Sequence, residues 1–248
     1  MSEQRKYVLT VAGFDPSAGA GLLADIKTFE THKVYGLAVN TGNTIQTEFK
    51  FYKMHWEKLD MVLETIETLM NDYKIDVVKT GIVPSFDFLN EIISVLKAKN
   101  PTIKIIVDPV KQSSTGFDFN KDLKGLEKIL SQIYLLTPNS NEAIFLAGKE
   151  SALDSAKELA KYTDVLLKGG HNKENKGTDI LFSRNKTTEF KPNLELESAK
   201  HGTGCILSSA IAANIALGKD LETSCRHAKR YIEKILSTNQ TSALAYHV

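Results

Sequence analysis

The sequence predicts an α/β protein, a mostly parallel sheet with helices on both faces. Three observations carry that reading. Short apolar runs of strand length alternate with longer segments whose apolar residues recur at helical spacing. Five polar or glycine-rich runs each follow one of the apolar runs, where parallel strands would end: Gly13-Phe14-Asp15, Lys79-Thr80-Gly81, Asp108-Pro109, Thr137-Pro138-Asn139 and Lys168-Gly169-Gly170. The length of 248 residues, 42% of them hydrophobic, suffices for a sizeable core in a single domain over residues 1–248, with no linker, repeat or low-complexity tract.

Tyr7 to Gly13 reads as a buried first strand, and a Gly/Ser/Pro-rich loop follows from Phe14 to Gly19. Leu22, Ile26 and Phe29 then repeat at helical spacing. Tyr35 to Thr41 is a second strand, and Leu59, Val62, Leu63, Ile66, Leu69 and Met70 stripe a second helix. A strand from Ile75 to Lys79 precedes a helix around Phe86 to Lys97, and a strand from Ile103 to Val107 precedes a helix around Asp122 to Ser131. The strand Ile133 to Leu136 is followed by helices near Asn141 to Ala147 and Ala152 to Lys161. The strand Asp164 to Lys168, a hairpin from Thr178 to Lys191 and two helices, the first after Cys205 and the second carrying Leu221, Cys225, Ala228, Ile232 and Ile235, complete the chain. Ligands of such sheets bind beyond the carboxyl ends of the strands, so five polar runs at one end describe the rim of a site.

Composition excludes several classes. The net charge is +1 with Lys and Arg dispersed among Asp and Glu, which points away from nucleic acid and anionic membranes as partners. The two cysteines, Cys205 and Cys225, form neither a disulfide framework nor a zinc spacing. With no apolar leader in the opening residues and no bilayer-length apolar stretch, a cytoplasmic location is expected.

His201-Gly202-Thr203-Gly204-Cys205 leads into a long apolar helix. The backbone N–H groups of such a helix start lack partners, and the helix dipole adds positive character, which suits a phosphate. The same field favours a thiolate at Cys205; the alternative is a packed helix start with a small core thiol. Cys225, on an apolar stripe, reads as core. Asp108 and Glu142 are candidates for organising magnesium, which takes one or two carboxylates plus phosphates and water. Glu142 equally suits a first-turn glutamate with Asn139 as N-cap. Lys168 is either a phosphate neighbour or a surface lysine, and His201 either a phosphate contact or a loop residue. Asp15 is either a helix cap or a substrate ligand. Gln46 can match an aminopyrimidine edge with one acceptor and two donors, or face solvent from a loop. Gly19-Ala20-Gly21-Leu22-Leu23-Ala24 formally fits a dinucleotide fingerprint, although five residues separate it from Gly13 and no clean acidic residue ends the second strand.

Taken in order, Gly13-Phe14-Asp15-Pro16-Ser17-Ala18-Gly19-Ala20-Gly21 with Asp25-Ile26-Lys27-Thr28-Phe29, Val107-Asp108-Pro109-Val110, Thr137-Pro138-Asn139 with Glu142, Leu166-Leu167-Lys168-Gly169-Gly170-His171 and His201-Gly202-Thr203-Gly204-Cys205 resemble the bacterial hydroxymethylpyrimidine and phosphomethylpyrimidine kinases of thiamine synthesis over nearly the whole chain. The resemblance implies a ribokinase-like three-layer α/β/α sandwich, a homodimer, with ATP and Mg2+. It implies Cys205 as general base and Gly202, Thr203 and Gly204 as an anion hole. Asp108 and Glu142 are then metal-organising acids, Lys168, Thr137 and Asn139 lie by the nucleotide phosphates, and Gly13, Asp15 and Gln46 belong to the pyrimidine site. Phe14, Ala18, Ile82 and Lys111 depart from the usual residues and touch the substrate pocket and its lid. The rival readings are a pyridoxal kinase, a dinucleotide-dependent oxidoreductase based on Gly19 to Ala24, and a catalytically silent nucleotide-binding sensor.

Overall fold

The computed structural model describes residues 5–110, 123–171, 177–183, 186–193, 200–238 and 242–248. In chain order the elements are β1 (Tyr7–Phe14), α1 (Gly21–Thr31), β2 (Tyr35–Gln46), β3 (Phe51–Trp56), α2 (Leu59–Asp72), β4 (Ile75–Thr80), α3 (Phe86–Lys99), β5 (Lys104–Val107), α4 (Leu126–Leu130), β6 (Leu135–Leu136), α5 (Ser140–Ala147), α6 (Ala152–Leu159), β7 (Asp164–Leu167), a 3-10 turn (Gly169–His171), β8 (Asp179–Ser183), β9 (Lys186–Phe190), α7 (Thr203–Ala216) and α8 (Leu221–Ser237).

The strands form one sheet in the order β3-β2-β1-β4-β5-β6-β7-β8-β9. The run from β2 to β7 is parallel, and β3, β8 and β9 join antiparallel at the edges. Because a strand turns successive side chains to opposite faces, adjacent residues feed two cores. Leu9, Val78, Ile105, Leu136 and Val165 pack under α2 to α6. Their neighbours Val8, Val77, Ile106, Leu135 and Leu166 pack under α1, α7 and α8. The result is the expected three-layer α/β/α sandwich.

Strand order reverses at β1, whose neighbours are β2 and β4. A ligand crevice opens at the carboxyl ends of the strands at such a reversal. Helix α7 is buried without interruption from Ile206 to Ile215, between α1, α8 and the sheet. Its run of Ser208, Ser209, Ala210, Ala212 and Ala213 lets neighbouring backbones come close. Among the described residues no helix is long and apolar enough to cross a membrane.

One strand is not announced by the periodicity. The second strand continues past Thr41 to Gln46 and turns back as β3, pairing Gln46 with Phe51. No residue of β3 is fully buried, so the apolar run that marks the other strands is missing from it.

Candidate active site

All five polar runs lie at the carboxyl ends of their strands, and three of them meet the start of α7. Gly202 caps α7 in the left-handed region at φ 78° and supplies no side-chain cap. The first hydrogen bond inside the helix runs from Ile206 N–H to Gly202 O at 3.0 Å, so the N–H groups of Thr203, Gly204 and Cys205 precede the helical ladder. Four other helices are capped by side chains, Ser85, Asn139, Ser151 and Asp220 each accepting a hydrogen bond from the first turn, whereas α1, α2 and α4 share the uncapped start of α7. A Cβ placed on Gly204 would lie 3.3 Å from Lys168 Nζ and 3.6 Å from Asp108 Oδ2. The N–H cradle therefore faces the ends of β5 and β7.

Lys168 is held there by two carboxylates. Its Nζ donates to Asp108 Oδ1 at 2.7 Å and lies 3.6 Å from Glu142 Oε2. Burial opposes its charge, but Asp108 and Glu142 outweigh that and hold its pKa above the ordinary lysine value. With 13% of its side chain exposed, Lys168 is no surface lysine. Glu142 fulfils the capping alternative too. Its N–H donates to Asn139 Oδ1 at 2.9 Å, and its Oε2 accepts from Asn139 N–H at 2.7 Å, a reciprocal capping box. Thr137 is fully buried, with its hydroxyl directed at Val107 O and Asp108 Oδ1. Thr137 and Asn139 thus contact the two acids, Thr137 at Asp108 and Asn139 at Glu142.

The thiol of Cys205 behaves differently from the expectation. Burial pushes its pKa up to about 11; Lys79 pulls it down, Asp25 and Asp108 push it up, and a hydrogen bond from the Gly21 backbone pulls it down. Desolvation beats the helix start, which corrects the expected thiolate near neutrality. Cys225 is 1% exposed in the core between α7 and α8, as expected.

Beneath Cys205 lies a pair that the sequence reading missed. Lys79 Nζ, fully buried, donates to Asp25 Oδ1 at 3.0 Å and Oδ2 at 2.8 Å. Asp25 also accepts from Ser209 Oγ and Thr10 Oγ1, each at 2.6 Å. Ser209 is one helical turn after Cys205, on the same face of α7. A lysine closing the apolar run Val77-Val78-Lys79 was the available signal, and a buried partner is what that position requires.

Asp15 and His201 come together rather than facing a ligand. Both are buried, and His201 Nε2 lies 2.8 Å from Asp15 Oδ2. The Asp15 carboxylate also accepts from Ser17 N–H, Ser17 Oγ and Ala20 N–H. Burial raises its pKa, but the hydrogen bonds from His201 and Ser17 outweigh it and hold the group below the usual carboxylate range. Of the alternatives the sequence left for Asp15, the Ala20 N–H bond fulfils that of a cap at the start of α1. Gly13 is buried, and a side chain there would collide with Ile82. Gln46 is half-buried at the end of β2, with no side-chain hydrogen bond among the described residues and no recorded contact to the cradle. Around the dinucleotide-like run, a Cβ on Gly19 would meet the His201 ring at 2.6 Å and Leu244 at 2.8 Å. A side chain at Gly19 therefore has no room beside these two residues. Lys111 lies outside the described residues.

The family model described as phosphomethylpyrimidine kinase matches residues 15–247. The chain belongs to that family. It is 35% identical to hydroxymethylpyrimidine/phosphomethylpyrimidine kinase of Aquifex aeolicus over 97% of this chain and 98% of that one. Identity is also 35% to the yeast kinase THI20, over 95% of this chain; the chain spans about half, 46%, of that longer relative. A crystal structure of phosphomethylpyrimidine kinase from Clostridium difficile superposes with a TM-score of 0.80 at 31% identity, covering 93% of this chain and 99% of that one. The Staphylococcus aureus pyridoxal kinase bound to pyridoxal superposes with a TM-score of 0.84 at 25% identity, covering 95% and 89%. The fold is thus common to both kinds of kinase, and sequence identity favours the phosphomethylpyrimidine kinases.

Proposed function

We propose that this chain transfers the γ-phosphoryl group of ATP to the hydroxymethyl group of an aminopyrimidine, and then phosphorylates the resulting monophosphate, in thiamine synthesis. The observation that carries this reading is the convergence at Gly204: an N–H cradle, an ammonium and a buried carboxylate meet at one glycine that leaves room for an anion. Phosphoryl transfer asks chiefly for positioning and charge neutralisation, which is what this arrangement offers.

In this mechanism the N–H groups of Thr203, Gly204 and Cys205 hold the γ-phosphoryl oxygens, and Lys168 meets the phosphates from the side. Cys205 is the proton acceptor. As the substrate oxygen bonds to the γ-phosphorus and the bond to the β–γ bridging oxygen breaks, the hydroxyl proton passes to the Cys205 thiolate, formed beforehand by loss of the thiol proton to solvent, and ADP leaves with the electron pair. A thiol held at about 11 is a reluctant base, and the nearby Lys79 is the charge that favours its ionisation. The anion hole therefore carries more of the catalysis than the base does.

The acids suit magnesium. Asp108 and Glu142 are oxygen donors few enough to leave water and phosphate in most of the ion's shell. Once bound, Mg2+ supplies charge neutralisation along the phosphates. Gly13 and Gln46 belong to the pyrimidine side of the site, Asp15 shapes its loop, and a homodimer in the cytoplasm completes the proposal.

The test is ADP release measured side by side with hydroxymethylpyrimidine, its monophosphate and pyridoxal. Turnover of both pyrimidines above pyridoxal is expected. A preference for pyridoxal would replace this reading with the rival kinase.

A further inference from the structure

The loop after β1 and the turn before α7 are separated by most of the chain, yet they are built into each other. Gly202 adopts φ 78°, and a Cβ on it would lie 1.9 Å from Gly19 O and 2.8 Å from Ala20 Cα. The two backbones are therefore in direct contact, and a side chain at 202 would force them apart. A single carboxylate organises this junction. Asp15 Oδ1 accepts from Ser17 N–H at 2.9 Å and Ser17 Oγ at 2.8 Å, while Asp15 Oδ2 accepts from Ala20 N–H at 2.9 Å. The remaining strong contact of Oδ2 crosses to the other loop, to His201 Nε2 at 2.8 Å. His201 is anchored in turn, its N–H donating to Ala243 O at 2.9 Å.

We propose that Asp15 and His201 are positioning residues: their hydrogen bond sets the Gly202–Cys205 turn against the substrate loop, so that the N–H cradle and the Cys205 sulfur stand in register with the acceptor hydroxyl. This rests on the assignment of Gly202, Thr203, Gly204 and Cys205 above. Three features make the pair suited to that work. It is buried on both sides, with Asp15 2% and His201 7% exposed, so water does not compete for the bond. It lies one residue from Gly202, whose conformation opens the cradle. And the junction it closes is glycine against backbone, where small displacements go straight into the position of the reacting groups. Displacements of about 1 Å in such a site cost on the order of 100-fold in rate.

The experiment compares His201→Phe, which keeps a ring and loses the bond, with His201→Gln, whose side-chain amide can restore a donor to Asp15. Turnover with hydroxymethylpyrimidine, KM for ATP and Tm are measured for each. His201→Phe is expected to lower kcat about 30-fold or more while KM for ATP stays within about threefold, the pattern of lost positioning rather than lost ground-state binding. His201→Gln should recover kcat to within about fivefold of wild type. Asp15→Asn combined with His201→Phe should be no worse than the worse single variant, since both break one interaction. Equal impairment by Phe and Gln, additive losses, or a rate loss matched by a fallen Tm would overturn the proposal.

A second readout does not depend on turnover. Iodoacetamide labelling of Cys205, followed by mass spectrometry with buried Cys225 as internal control, reports the placement of the turn directly. His201→Phe should change the Cys205 labelling rate about fivefold or more and His201→Gln should leave it near wild type. If the wild type turns over none of the three substrates, the functional reading fails, and labelling still decides the positioning pair. Identical labelling in all three proteins would refute it.

Discussion

Two lysines of this sheet are paired with aspartate, and they have opposite fates. Lys79, in β4, is sealed: neither it nor Asp25 has any exposed side-chain surface, and Thr10 and Ser209 satisfy the remaining capacity of the carboxylate. Lys168, just beyond β7, retains 13% exposure, shares itself between Asp108 and Glu142, and borders the open turn at Gly204. The first cluster balances in charge, one ammonium against one carboxylate. The second sets one ammonium against two carboxylates. A buried ion pair is thus scaffold or binding site according to what is left over after its internal bonds are made. At Lys79 that is a fully enclosed pair; at Lys168 it is a rim position with carboxylates to spare.

The sharpest way to break this comparison is to remove each ammonium. Lys79→Met strands a buried carboxylate and should cost about 3–5 kcal/mol in urea unfolding. Replacing the whole cluster, with Thr10→Val, Asp25→Leu and Ser209→Ala added, should return most of that stability, because no polar group is then left unpaired. A loss under about 1 kcal/mol for the single variant would show that the pair is not sealed.

Lys168→Met should act on rate instead. With a charged neighbour of the phosphates gone, kcat/KM is expected to fall about 100- to 1000-fold, equivalent to about 2.7–4 kcal/mol of transition-state stabilisation. Its unfolding free energy should drop by less than that of Lys79→Met, since Asp108 and Glu142 border the cleft. Reversed rankings in the two assays would exchange the roles given to the lysines.

The smallest effect sharpens the comparison within the sealed cluster. Ser209→Ala removes one of the donors to Asp25 and should cost about 1.5–3 kcal/mol by denaturation, the range for a hydrogen bond to a charged group. Stability equal to wild type would mean that Lys79 and Thr10 alone satisfy the carboxylate.

The strand ends were legible because apolar runs stop abruptly at glycine or charge, as at Val107-Asp108 and Leu167-Lys168. That pattern puts Asp108 and Lys168 on one rim, and the family resemblance adds Glu142 and the Gly202–Cys205 turn to the same site. Strand β3 was hidden because an edge hairpin without a buried face carries no apolar run. The Asp15–His201 and Asp25–Lys79 partnerships were hidden for another reason: each joins residues far apart along the chain, and local periodicity holds no information about such pairs. The direction of the Cys205 shift escaped as well, since the helix start is visible in sequence and the depth of burial is not.

Helix α7 gives the protein an order of assembly. It fills the space beside α1 and the central strands, and its Ser209 reaches back 184 positions to Asp25. During synthesis the amino-terminal part, in which α1 already meets β1 and β2, lacks the cover that α7 gives its apolar face until residues 203–216 arrive. Closing so long a loop is slow, and exposed apolar surface invites association while it lasts. The turn proposed as the anion hole and the cover for that surface belong to one segment, so a nascent chain completes both in the same step.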